Sequence, residues 1–223
     1  MYLLTETASP FALERWAAFF ANFGQFAKGF FYTLGISIGA LIVALLLGLI
    51  FGAMSSTHNK VLRGISRVYV EIFQNTPLLV QFVVVFYGIS ILTDGHIMIP
   101  ISLTAILCVG VYTGAYISEI IRTGIEAVPK GQTEAALSQG FTYADTMRII
   151  ILPQAVRTIL PPLTNQVVNL IKNTSTVAII SGADIMFTAK AWAYDTTNYV
   201  PAFAGAAFLY FIMCFPLATW ARR

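Results

Sequence analysis

Glu134-Ala135-Ala136-Leu137-Ser138-Gln139-Gly140, followed by Ile150-Ile151-Leu152-Pro153, stands between apolar stretches long enough to cross a bilayer. A short polar segment rich in alanine and ended by glycine, set among such stretches, suits a hairpin on the membrane surface that receives a soluble partner. Working outward from it, runs free of acidic and basic residues cover 29–57, 72–93, 97–118, 158–183 (broken only by Lys172) and 196–221. Each is long enough for a spanning helix of roughly 20 residues. The helices expected within them are 33–54, 72–92, 99–120, 163–183 and 201–220. The expected fold is therefore an all-α integral membrane protein with five transmembrane helices.

Composition fits that class. Apolar residues make up 57% of the 223 residues and charged residues 10%, with a mean hydropathy of +0.77. These values lie outside the range of soluble domains and leave little chain for a separate extramembrane catalytic domain. Cys108 and Cys214 fall in apolar runs and read as packing residues, not as a disulfide framework. His58 and His96 fall in loops that the five-span reading puts on opposite sides, which excludes a shared metal site and leaves both solvated. No phosphate-binding Gly-x-x-x-x-Gly-Lys-Ser/Thr word occurs. No cluster of His, Asp, Glu and Cys suggests membrane-embedded catalysis.

Basic residues set the orientation, because Lys and Arg stay preferentially on the cytoplasmic side. Of the 13 Lys and Arg, nine share one face: Lys60, Arg63, Arg67, Arg122, Lys130, Arg148, Arg157, Arg222 and Arg223. Arg15, Lys28 and Lys190 fall on the other, and Lys172 is inside a span. This predicts an external N-terminus, a cytoplasmic C-terminus and a cytoplasmic loop at 122–157. Before the first span, Ser9-Pro10 followed by Phe11, Leu13, Trp16, Phe19, Phe20, Phe23 and Phe26 reads as an N-capped helix at the outer membrane surface. The chain thus divides into an N-terminal interfacial segment, 1–28, and a transmembrane domain, 29–223. A signal peptide fits less well, since no basic region precedes the apolar stretch.

Local rules build the loop. Thr133 and Glu134 would cap and stabilise the start of a short helix, Gly140 would end it in the left-handed conformation, and Thr142 with Asp145 has capping-box spacing. A second helix is expected at 143–151, running to Pro153. Ala135, Ala136 and Gly140 would leave one face smooth for close approach of another protein.

The Glu-Ala-Ala word, its glycine and the Ile-x-Leu-Pro ending together resemble the signature of binding-protein-dependent ABC importer permeases. Glu71-Ile72-Phe73-Gln74-Asn75-Thr76-Pro77-Leu78-Leu79-Val80-Gln81, Tyr116 to Ile125, Lys130-Gly131-Gln132 and Leu170-Ile171-Lys172-Asn173-Thr174-Ser175 resemble the polar amino-acid branch of that family. At Gln74 the branch often has arginine. The resemblance covers residues 28–223. It implies a permease subunit in the bacterial inner membrane that pairs with an identical or homologous permease. Glu134, Ala135, Ala136 and Gly140 would form the coupling hairpin, docked to a cytoplasmic ABC ATPase dimer. An extracytoplasmic binding protein would deliver a polar amino acid. The subunit would be no enzyme and hold no cofactor, with ATP and magnesium bound by the ATPase.

Within the spans, Lys172 is expected ~15 Å from the cytoplasmic start of its helix, near the midplane of a ~30 Å core. An ammonium there serves either as a substrate contact or as a donor between helices. Asn173, Thr174 and Ser175 continue the polar patch, lining a path or bonding neighbouring helices. Asn75, Thr76 and Pro77 form either a gate along the path or a simple kink. Glu119 and Arg122, three residues apart, would pair near the inner interface. A channel or a self-sufficient secondary carrier could also have five apolar helices with Lys172 on a path, but neither needs the hairpin.

Overall fold

The computed structural model describes residues 9–220, all of whose regular elements are helical. A short helix α1 (Leu13–Ala21) leads through Asn22 into the 33-residue helix α2 (Phe23–Ser55). Then come α3 (Lys60–Gln74), α4 (Leu78–Leu92, with a π turn at Val84–Gly88) and α5 (Ile101–Glu126). A short helix α6 (Lys130–Ser138) follows. Helix α7 (143–173) comprises Tyr143–Asp145, a π segment at Thr146–Ile151 and the α-helix Leu152–Asn173. A 3-10 segment, Thr174–Ile180, leads to α8 (Ile185–Thr196) and α9 (Tyr199–Trp220).

Helices α2, α5 and α9 are each long and apolar enough to cross a membrane, and α3 with α4 would make a fourth span if that bent pair is counted as one. Along α2 the exposed Ile38, Ile42, Leu46, Leu49 and Ile50 form an apolar outer face.

Several expected boundaries shift. Helix α2 starts at Phe23, ten residues before 33, so the division expected after residue 28 falls inside a continuous helix. The N-terminal helix starts after Ala12, not Ser9, and no side chain caps it. It packs into the bundle: Phe19 is 4% exposed, meeting Phe26 and Trp192 edge-on and sitting over Gly205 of α9. The span expected at 72–92 is two helices bent by 97° at Asn75–Pro77. The span expected at 163–183 is the end of a helix that already runs from Leu152, followed by a 3-10 turn.

Two helices carry the centre of the fold. Lipid gives little hydrophobic drive to helix association, so close backbone approach over small residues takes its place. Gly39, Gly48 and Gly52 of α2 receive Ile106, Ile117 and Ile121 of α5, while Gly110 and Gly114 of α5 receive Val43 and Leu47 of α2. A Cβ at Gly48 would stand 2.4 Å from Ile117 Cγ2. The core around this seam takes in Leu78 and Phe82 of α4, with Leu170 of α7 and Val177 and Ile180 of the 3-10 segment. A second core joins α1, the start of α2, α8 and α9 around Phe19, Phe26, Ile185, Trp192 and Leu209.

Candidate functional site

Helix α6 starts at Pro129-Lys130, where proline accepts the missing first amide of a helix without loss. Thr133 and Glu134 therefore lie inside the helix, and neither caps it. The C-terminal end is built around glycine. Gly140 has φ +87°, its N–H donates to Leu137 O (3.0 Å), and the N–H of Phe141 donates to Ala136 O (3.2 Å). This is the paired bonding that closes a helix through a left-handed residue.

Next, Thr142 Oγ1 accepts from the amide of Asp145 (3.2 Å) and lies 2.5 Å from Asp145 Oδ2. The helix begun there does not end at Pro153. It opens into the π segment and continues as α-helix through Pro153, Pro161 and Pro162. The wider turn is the backbone's response to the missing proline amide and ring, which a regular ladder cannot hold.

The smooth face expected from Ala135, Ala136 and Gly140 is divided. Ala136 is 3% exposed and turns inward, where α6 packs on the π segment with Thr146 and Ile151 buried. Glu134, Ala135 and Gly140 remain exposed, and beyond its two chain neighbours no atom lies within 4 Å of where a Gly140 Cβ would be. Leu137, Phe141 and Tyr143 add exposed apolar surface. His58 is braced as well as solvated, its ring centroid 5.3 Å from that of Tyr143.

Beside α6, the C-terminal ends of α2 and α5 and the length of α3 surround a cleft of about 1050 Å³ that reaches Lys130. Arg122 joins Glu119 there, and its second nitrogen reaches Glu126 at 2.5 Å. Across the cleft Arg67 pairs with Glu71 at 2.7 Å. Gln74 Nε2 donates to Ala115 O at 3.2 Å, tying the end of α3 to α5 through a neutral amide.

Asn75, Thr76 and Pro77 are exposed at the break. Asn75 Nδ2 donates to Glu71 O and Thr76 Oγ1 to Ile72 O, both at 2.8 Å. Sequence reasoning missed Gln81, whose Nε2 reaches Phe73 O (3.2 Å), Thr76 O (3.2 Å) and Thr76 Oγ1 (2.8 Å). It satisfies carbonyls that the helix ladder leaves open, which non-helical backbone in a membrane requires.

Lys172 stands 20 residues from Leu152, ~30 Å along the helix at 1.5 Å per residue. It is thus in the last turn of a helix that starts well before the expected 163. Its side chain is exposed and has no ion pair among the described residues. Position alone accounts for part of its presence, since a cation complements the negative end of a helix. Thr174 is buried and donates to Ile171 O (2.7 Å), and Ser175 donates to Lys172 O (2.8 Å). Asn173 is half-buried at the helix end. The shared core of Leu78, Phe82, Val177 and Ile180 sets this polar segment beside the helix that begins at the 75–77 break.

Among the described residues the most buried acid is Asp184. Asp184 has no exposed surface, and its carboxylate accepts from the amides of Met186 and Phe187 (both 3.1 Å) and from the Tyr210 hydroxyl (3.2 Å). The local signal was present in Asp184 preceding an apolar run, an N-cap pattern. Its partner Tyr210 was not locally visible.

A profile of the family described as "Binding-protein-dependent transport system inner membrane component" matches residues 44–223. The chain is 38% identical over 202 residues to the probable glutamine ABC transporter permease protein GlnM of Bacillus subtilis, covering 89% of this chain and 91% of that one. It is 35% identical over 187 residues to the glutamate/aspartate import permease protein GltJ of Escherichia coli K12, covering 76% of each. Among solved structures, an amino acid ABC transporter crystallised with histidines superposes with a TM-score of 0.86 at 31% identity, covering 93% of this chain and 95% of that one. The inward-facing MetNI methionine transporter shares the fold, with a TM-score of 0.71 at 17% identity and coverage of 91% and 97%.

Proposed function

The chain belongs to the family of binding-protein-dependent transport system inner membrane components, and from that premise we propose that it is a permease subunit of an ATP-driven importer for polar amino acids. In this reading five spans cross the bacterial inner membrane, with α4 and α7 joining α2, α5 and α9. The N-terminus is external and the C-terminus cytoplasmic. Two permeases, identical or homologous, enclose the path, and an extracytoplasmic binding protein delivers the amino acid. A dimeric cytoplasmic ATPase holds ATP and magnesium. Glu134, Ala135 and Gly140 are on the docking face of the hairpin, and Ala136 anchors that hairpin to its own subunit. Lys172, Asn173 and Ser175, with Asn75, Thr76 and Pro77, border the path, whereas Thr174 is buried and holds the turn by its bond to Ile171 O.

The observation that carries this reading is the exposed, glycine-terminated helix α6 between the membrane-type helix α5 and the long helix α7. A channel or a self-sufficient carrier has no need to present such a surface. Polar amino acids are favoured because both the glutamine and the glutamate/aspartate permeases align over most of the chain. The test is affinity purification from native membranes, followed by reconstitution with the candidate binding protein. An ATPase that co-purifies and is stimulated by the binding protein with one amino acid supports the proposal. A stable assembly with no ATPase sinks it.

A further inference from the structure

Helix α3 has three distinct edges. Ser66 and Tyr69 are buried: Ser66 donates to Phe51 O of α2, and Tyr69 donates to Val111 O of α5, both at 2.7 Å. Val61, Ile65, Val68 and Ile72, spaced by four, three and four residues, make an exposed apolar row, each at least 50% exposed. Lys60, Arg63, Arg67 and Glu71 make the third edge, lining the cleft. These spacings are those of one helical face each.

The axis of α3 turns 97° from that of α4. Where α4 follows the bilayer normal, α3 runs in the membrane plane. A helix with this division of faces is stable there, its apolar row in the acyl region and its cations among the headgroups.

The cleft beside it has an excess of positive charge. Lys60, Arg63, Arg67, Arg122 and Lys130 face Glu71, Glu119 and Glu126, five cations against three carboxylates, a net +2. All three carboxylates are already paired, with Arg67 or Arg122. Among the described residues, Lys60, Arg63 and Lys130 have no such partner. Unneutralised cations at the rim of an apolar row match a ligand that is anionic at one end and hydrocarbon at the other.

We propose that α3 is an in-plane membrane anchor whose Lys60 and Arg63, with Lys130 across the cleft, bind the phosphate of an anionic phospholipid. The inference rests on the membrane-embedded permease reading, and its test separates the two. The chain, in the assembly with which it purifies, carries a bimane label on cysteine at Ile65, or at Leu46 of α2 or Phe208 of α9 as controls. It is reconstituted into phosphatidylcholine vesicles containing a fixed fraction of brominated phosphatidylglycerol or brominated phosphatidylcholine.

The expected result is quenching at the control sites by both lipids, and at Ile65 preferentially by phosphatidylglycerol. Each cation near an anionic headgroup contributes about a fivefold preference, so Lys60→Gln with Arg63→Gln should reduce it about 25-fold. Arg63→Lys, which keeps the charge, should retain it. Quenched controls with a silent Ile65 overturn the proposal, and an Ile65→Cys disulfide between two copies would reassign the face to a subunit interface. Equal quenching of Ile65 by the two lipids, or a preference that survives the double substitution, also overturns it. Silence at both controls removes the membrane reading on which it stands.

Discussion

Replacing Gly140 separates the hairpin's geometry from the stability of the bundle. Its φ of +87° lies beyond the left-handed basin open to residues with a side chain. Adding a Cβ in that region costs roughly 1–2 kcal/mol. Beyond its two chain neighbours nothing stands within 4 Å of the added atom, so backbone conformation dominates the intramolecular cost. That amount shifts the equilibrium between the closed helix end and an opened one by about 5- to 30-fold. Hydrogen exchange should show it at the two amides that close the helix, those of Gly140 and Phe141, in Gly140→Ala. Gly140→Asn should lose less, because asparagine visits the left-handed region more readily. Thermal unfolding should stay near the native value, because the residue is exposed and outside both cores. Gly140→Leu adds bulk on the docking face and should in addition abolish capture of the ATPase. Unchanged exchange at these amides, together with normal ATPase capture by Gly140→Leu, would refute both the helix-stop and the docking argument.

Gly48→Ala should destabilise the assembly by about 1–3 kcal/mol through overpacking against Ile117. Gly35→Ala, with open space at its Cβ, should be near neutral, and equal melting temperatures for the two would contradict the small-residue seam. Asp184→Ala should cost about 0.5–2 kcal/mol for the lost cap alone, whereas Asp184→Asn keeps a capping oxygen. A wild-type melting curve for the alanine variant would remove the cap from the account. Lys172→Met should lower uptake with the complex intact if its ammonium meets the substrate; unaltered uptake, or loss of the complex, assigns the residue to structure. Glu134→Lys reverses an exposed charge on the docking face and should cut ATPase stimulation by loaded binding protein, so a native response would argue that Glu134 makes no contact there.

Charge-free runs located α2, α5 and α9 because lipid admits few alternatives to a long apolar helix, and composition alone reports that. Their ends were less legible. Hydrogen bonding continues through the interface, so α2 reaches back to Phe23 where hydropathy alone places the start near 33. Helix α3 was hidden by the same criterion: Lys60, Arg63, Arg67 and Glu71 break every charge-free window, although Val61, Ile65, Val68 and Ile72 show a clear helical period. The bend at 75–77 was visible as Pro77, but its sharpness depends on Gln81 satisfying the freed carbonyls.

At the hairpin, Gly140 was legible because a positive φ restricts the residue type. The start was misjudged because Thr133 is a good cap in isolation, while Pro129 supplies a stronger helix start four residues earlier. Contacts between distant residues had no local signal at all. His58 on Tyr143, Tyr69 on Val111 and Asp184 with Tyr210 depend on the packed bundle.

Long-range packing bears on how the hairpin, docked as proposed, could act on the proposed path. On one side α6 joins α5 through only Ala127, Val128 and Pro129, and on the other α7 runs without a break in helical structure from Tyr143 to Asn173. The 3-10 segment that follows shares a core with the first turns of α4. A displacement of α6 therefore has a continuous solid route to the polar residues at 172–175 and to the break at 75–77. Along α7 the most compliant place is the π segment, where the regular ladder is interrupted. If that segment absorbed the motion, the hairpin could move while the path stayed still. Its tight packing against α6, with Ala136, Thr146 and Ile151 all buried, argues that hairpin and π segment move together and that bending is confined to the proline-containing stretch beyond.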